Sequence, residues 1–264
     1  MKKMVGIMLL LCSIMPFMAC TSTEDEPYKP ETEQPSDDPN NNEEEDNDTT
    51  PVYGHLTTAN TVSDVVNHEA FNGFGRFILP AERSYNDNMT LQNVASMLPY
   101  HNYITGERAV ETINTMIDYV HDGNTLFYDI YSDADKQADS RKNNTGVFFF
   151  RGEPGKPFAI VCPGGGFSYV GAIHEGFPLA IALSKMGYNA FSIQYRTGGA
   201  QVACEDLAGA IDFIMRHAEE LQVSTDDYSL WGGSAGARMA AYLGSYGTQG
   251  FISAVHPRSG NGRD

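Results

Sequence analysis

Two hydrophobic rhythms divide the chain. From residue 124 onward, short strand-like runs, the one at 157–166 a continuous apolar stretch, alternate with longer stretches whose apolar positions recur every three or four residues. The runs "TLFYDIYS" (125–132), "GVFFFRG" (146–152), "PFAIVCPGGG" (157–166), "YNAFSIQYR" (188–196), "YSLWGGSAG" (228–236) and "FISAV" (251–255) read as strands. The first two are expected to pair as an antiparallel return, and the last begins a further strand. Between them, "EGFPLAIALSKMG" (175–187), "ACEDLAGAIDFIMRHAEEL" (203–221) and "ARMAAYLGSYG" (237–247) carry the helical period, the first stopping at Gly187. Strands alternating with helices of this length predict a mostly parallel sheet covered by helices on both faces, an α/β fold.

Residues 51–123 follow a looser pattern. Helices are expected in 89–102 and 106–123; in the second, Val110, Ile113, Met116, Ile117 and Val120 fall on one face, and Gly123 is its stop. No catalytic motif appears in this extension. His55, His68, His101 and His121 have no metal-ligand spacing, and no metal or cofactor is called for.

The first fifty residues do not belong to a core. Lys2 and Lys3 precede an uncharged apolar run, residues 4–17, which is shorter than a membrane-spanning helix requires. Phe17 occupies the position where a cleaved signal prefers a small residue, and Ala19 precedes Cys20. This pattern resembles a bacterial lipobox, which implies a signal peptide over 1–19 and a lipid on Cys20; an ordinary cleaved signal and an uncleaved anchor are the alternatives. Residues 21–50 hold twelve acidic residues, one lysine and almost nothing apolar, and supply −11 of the formal net charge of −17. Such a segment cannot bury enough surface to offset its ordering entropy, so 20–50 reads as a lipidated cysteine and a disordered tether. Its acidic run resembles a surface-export signal of Bacteroidetes lipoproteins, and a generic solvated linker accounts for it equally. The expected location is the cell envelope, lipid-anchored in a Gram-negative outer membrane or cell surface. The remaining charge, −8 from residue 51 onward, excludes the basic footprint of a nucleic-acid binder. Cys162 and Cys204 remain in a compartment that permits disulfides, but sequence does not fix whether they pair.

The chemistry concentrates in two glycine motifs. Gly232-Gly233-Ser234-Ala235-Gly236 matches G-x-S-x-G, with a strand-like run before it and a helix-like run after it. A serine on such a tight turn is strained, and only small neighbours let strand and helix approach. The turn would present the Ser234 hydroxyl at the sheet's carboxyl edge and the Ala235 N–H at a helix N-terminus, ready for an oxyanion. The second motif, "CPGGGFSYVG" (162–171), follows a strand and can expose backbone N–H groups to a carbonyl. A plain connecting turn is the bland alternative. A phosphate loop would need a Walker lysine or a G-x-G-x-x-G spacing that is absent.

Taken together, 124–247 resembles the esterase/lipase branch of the α/β-hydrolase superfamily, in particular bacterial esterases with a Pro-Gly-Gly-Gly-aromatic loop linked to carbohydrate-ester removal. "PGGGFSYVG", "HEGFP", "QYR", "EDLAGAIDFI" and "SLWGGSAGARMAA" carry the resemblance in order, although Pro163 stands where an HGGG-type loop has histidine. The resemblance implies an α/β-hydrolase domain over 124–264, with Ser234 as nucleophile and Gly165, Gly166 and Ala235 as oxyanion-hole donors. It implies no cofactor, and a carboxylic-ester substrate, glycan-linked acetyl or feruloyl groups among the candidates. Tyr195-Arg196 and Glu205-Asp206 are implied to be structural polar pairs. His174-Glu175 follows the loop; a cleft-lining role is open to it, but Glu175 is expected to stabilise a helix start through the dipole.

A serine nucleophile needs a base and an orienting carboxylate, and in this fold they follow it in the order acid, then histidine. After Ser234 the only histidine is His256, which comes early, and Asp264 follows it in the wrong order. The expectation is a domain incomplete at its C-terminus, a fragment of an intact esterase. A non-catalytic, sugar-binding lipoprotein and a rearranged site using His256 are the alternatives. A serine peptidase of the same superfamily is the runner-up enzyme, though 51–123 is too short for the extra domain such enzymes usually carry.

Overall fold

The computed structural model describes residues 54–80, 82–83, 86–97 and 104–251. Residues 1–50, Cys20 among them, lie outside this set, as do 252–264 with His256 and Asp264. The expected strand at 251–255 therefore falls outside it apart from Phe251, which is helical.

Among the described residues five strands build the sheet: β1 (Phe127–Tyr128), β2 (Gly146–Phe150), β3 (Pro157–Cys162), β4 (Asn189–Gln194) and β5 (Ser224–Gly232), in spatial order β1-β2-β4-β3-β5. β4, β3 and β5 run parallel, while β2 is antiparallel to both β1 and β4. β2 and β4 are buried at every position and β3 at all but its first, as strands covered on both faces must be. Their side chains alternate between two aromatic layers. Phe149 stacks on Phe191, Phe158 meets Phe191 edge-on, and Tyr228 stacks on Phe158 on one face. Phe148 and Phe150 point the other way, both onto Phe177.

The helices follow from those layers. They are α1 (Val62–Val66), α2 (Gly106–His121), α3 (Asp133–Ala138), α4 (Phe177–Lys185), α5 (Ala200–Arg216), α6 (Ala218–Leu221) and α7 (Ser234–Tyr246). Phe177 brings α4 onto the Phe148 face, and Phe213 of α5 meets Tyr128 on the Phe149 side, with α7 packed beside α5. The sequence therefore forecasts the architecture correctly: an α/β sheet with helices on both faces. Gly123 and Gly187, at φ 84° and 92°, end α2 and α4 at the expected places. On α2, Ile113, Met116 and Ile117 are fully buried, while Val110 and Val120 pack on the core's rim.

The boundaries differ where side chains pull the backbone away from its propensity. The run 125–132 pairs only at Phe127–Tyr128, because Asp129 turns out to Lys136 (2.8 Å) and Tyr131 turns in to Asp206 (2.6 Å). The stretch 203–221 is two helices broken at His217, whose ring stacks on Phe213. Of the helix expected over 89–102, the described part is a 3-10 segment, Leu91–Met97; residues 98–102, His101 among them, lie outside the described residues. β5 is longer than expected, reaching back to Ser224 through an irregularity in its pairing with β3. Residues 54–97 share the core: Phe74 stacks on Phe127 and meets Phe148 edge-on. Cys162 and Cys204 are both buried free thiols. Among the described residues no helix is long and apolar enough to cross a membrane.

Candidate active site

Strand register brings the two glycine motifs together. β3 and β5 are neighbours, and Cys162 pairs with Gly232 at their carboxyl ends. The chain therefore leaves both strands at the same height, as Pro163-Gly164 on one and Gly233-Ser234 on the other.

The elbow is sharp. Ser234 lies at φ 49°, in the left-handed region that a non-glycine residue occupies only when its surroundings hold it there. It opens α7, whose N-cap Gly233 offers no side-chain acceptor, so the first turn keeps unspent N–H groups. Gly236 shows why small residues flank the serine: a Cβ there would run into the Cys162 carbonyl oxygen. The helix thus rests its first turn against the end of β3. Gly164 is less tight but still close, since a Cβ on it would lie 3.1 Å from the Ser234 Cβ and 2.9 Å from Glu175 Oε2.

The loop after β3 is held peptide by peptide. The Pro163 carbonyl accepts from the buried Tyr195 hydroxyl (2.8 Å). The Gly164 N–H donates to Glu175 Oε2 (2.5 Å), and the Gly164 carbonyl accepts from Gly171 N–H (3.0 Å). The Gly165 carbonyl accepts from Ser168 N–H (3.0 Å) and Tyr169 N–H (3.3 Å). Gly165, Gly166 and Phe167 follow one another at φ 140°, 61° and 60°. Among the described residues, the N–H groups of Gly165, Gly166 and Ala235 are not spent on protein acceptors. These are the three groups the resemblance assigns to an oxyanion.

Behind the loop sits a buried ionic cluster. Asp206 accepts from the Arg196 backbone N–H (2.6 Å), from Arg196 Nε (3.0 Å) and from the Tyr131 hydroxyl (2.6 Å). Arg196 also reaches Asp139 (2.9 Å) and Glu205 (3.3 Å). Burial, and then the Asp206 carboxylate, push the Tyr131 phenol far above its usual range, so it stays a donor. The cluster fixes the end of β4; just beyond it, Gly198 N–H bonds the Phe167 carbonyl (2.8 Å). Tyr195 thus bonds the loop directly, while Arg196, Glu205 and Asp206 hold the chain at the end of β4 that carries Tyr195.

Glu175 has a partner that the sequence did not name. It lies, as expected, in the first turn of a helical segment, the wide-wound Ala172–Gly176 that leads into α4, and its carboxylate also accepts the Gly164 N–H. The "HEG" tripeptide after a glycine loop was the available signal, but sequence cannot show that the turn folds back over the loop. His174 beside it is 2% exposed. His55 pairs with Asp118 (2.6 Å), and His68 caps a short 3-10 turn. A cavity of about 390 Å³ between α2 and α4, lined by Arg108, Glu111 and Lys185 among others, includes none of the elbow or loop residues.

The BD-FAE family profile matches residues 151–258. Among solved structures, the chain is similar to a thermophilic esterase from Thermogutta terrifontis with propionate bound (24% identity, TM-score 0.33, covering 37% of this chain and 39% of that one). It is similar also to a sugar hydrolase, YeeB, from Lactococcus lactis (27%, TM-score 0.35, 37% and 42%) and to MGS-M1, an α/β hydrolase from a Medee basin deep-sea metagenome (23%, TM-score 0.35, 38% and 45%). The chain spans less than half the length of each of these structures. No curated protein matches it. The BD-FAE match falls on β3, β4 and β5 and on the turns that bring Gly164 against Ser234; over those residues the chain is similar to that family, and its helix-flanked sheet is consistent with an α/β-hydrolase fold.

Proposed function

We propose that the site hydrolyses carboxylic esters through an acyl-enzyme on Ser234. One observation carries this reading: a serine held at φ 49° at a helix N-terminus, packed against a loop whose Gly165 and Gly166 N–H groups are unspent. In the reaction, Ser234 Oγ attacks the ester carbonyl. The oxyanion is taken by Gly165, Gly166 and Ala235, the alcohol leaves, and water frees the acid. The described residues supply nucleophile and oxyanion donors; no histidine among them follows Ser234, and the proton acceptor is left unassigned. The BD-FAE match and the glycine loop support an ester substrate, with acetyl or feruloyl groups on glycans as the class to try first. We further propose that Cys20 carries lipid and that the acidic segment 21–50 spaces the domain from an envelope membrane.

The test is release of nitrophenolate from 4-nitrophenyl acetate by the protein and by Ser234→Ala. The expected loss in the variant is roughly a thousandfold or more. Equal rates would remove the hydrolase reading. Glycan binding without turnover would instead favour a ligand-binding lipoprotein.

A further inference from the structure

We propose that Glu175 is a positioning residue of the oxyanion loop, acting through the Gly164 N–H. This rests on the Ser234 reading and deepens it. The argument runs along three successive peptide units. In a trans peptide, C=O and N–H point in opposite directions, so holding one end aims the other. The unit joining Pro163 and Gly164 is held at both ends, its carbonyl by Tyr195 and its N–H by Glu175. The next unit has its Gly164 carbonyl on Gly171 N–H, leaving the Gly165 N–H unspent. The third has its Gly165 carbonyl on Ser168 and Tyr169, leaving the Gly166 N–H unspent. The two donors therefore extend from a frame whose first unit Glu175 pins.

Charge and place favour this role over a merely structural one. A carboxylate accepting an amide N–H is a charge-assisted bond, stronger than the neutral bonds elsewhere in the loop. The loop needs such a hold, because three consecutive residues sit at positive φ. The same carboxylate oxygen lies 2.9 Å from where a Cβ on Gly233 would stand, so Glu175 bonds the loop and also sits close beside the residue before the nucleophile. It can keep their spacing fixed while Ser234 changes from hydroxyl to ester.

The experiment compares the full chain with Glu175→Gln and Glu175→Asp in two readouts. One is kcat and KM for 4-nitrophenyl acetate; the other is amide hydrogen exchange of the peptide covering 163–171, with Tm as the fold control. For Glu175→Gln the expectation is a kcat lower by about tenfold to a hundredfold, less than deletion of an oxyanion donor costs, with KM within about threefold. Exchange in 163–171 should quicken while Tm holds. Glu175→Asp, one methylene short of Gly164, should not rescue either readout. Unchanged exchange in the Gln variant overturns the proposal, as does faster exchange with an unchanged kcat. A wild type without Ser234-dependent turnover defeats the ester reading instead, and the exchange result alone then judges the clamp.

Discussion

Gly236 shows how a single hydrogen atom in place of a side chain sets the site. Its Cα faces the Cys162 carbonyl so closely that a methyl group would have to push β3 and α7 apart. Gly236→Ala is therefore expected to destabilise the fold by about 1–3 kcal/mol, as overpacking of a filled interior does. Urea unfolding measures this, and an unchanged midpoint would contradict the packing. Asp206 carries a different penalty. It is fully buried and neutralises an Arg196 that is only 5% exposed, so Asp206→Ala leaves a buried guanidinium short of a partner and the Tyr131 hydroxyl without its acceptor. Removing one member of such a pair costs about 3–5 kcal/mol. Calorimetry of that variant should show a lower Tm; a wild-type value would mean that Asp139 and Glu205 suffice to hold Arg196.

At the scale of elements, the helical and strand rhythms were readable because burial is what writes them. β2, β3 and β4 are buried on both faces; β2 and β3 appear in the sequence as near-continuous apolar runs, while β4 also buries Asn189, Ser192 and Gln194. The G-x-S-x-G elbow was legible for a related reason: the strained turn tolerates few residue types, and the sequence displays them. The role of Glu175 was not legible, because it depends on a turn folding back eleven residues to meet Gly164. The shortening of β1 was hidden for the same cause, since Tyr131 leaves the strand for a partner on α5, seventy-five residues away. Local pattern predicts local structure; it is silent on which distant acceptor captures a side chain. Helix α2 offers a check of the local kind. The Thr105 hydroxyl accepts the Arg108 N–H at its N-terminus, so Thr105→Ala should cost about 1 kcal/mol in urea unfolding. No loss would show that packing of Ile113, Met116 and Ile117 alone holds that end.

For the whole molecule, the charge distribution and the fold point to separate tasks. The acidic stretch 21–50 carries most of the net charge, and the residues of the proposed site lie at the ends of β3 and β5 and at the start of α7. If Cys20 is the anchor, growth with labelled palmitate should mark the protein, and Cys20→Ala should lose the label and move to the soluble fraction. Labelling that survives the substitution would contradict the lipobox reading. The central claim, that Ser234 is a nucleophile presented to an oxyanion site, is tested most directly by covalent capture. The protein is incubated with an alkyl fluorophosphonate, digested, and the modified peptide is located by mass spectrometry. The account predicts one phosphonyl group on Ser234, none on Ser234→Ala, and slower capture by Glu175→Gln. A wild-type protein that carries no label at Ser234 under conditions that saturate a serine esterase would contradict it.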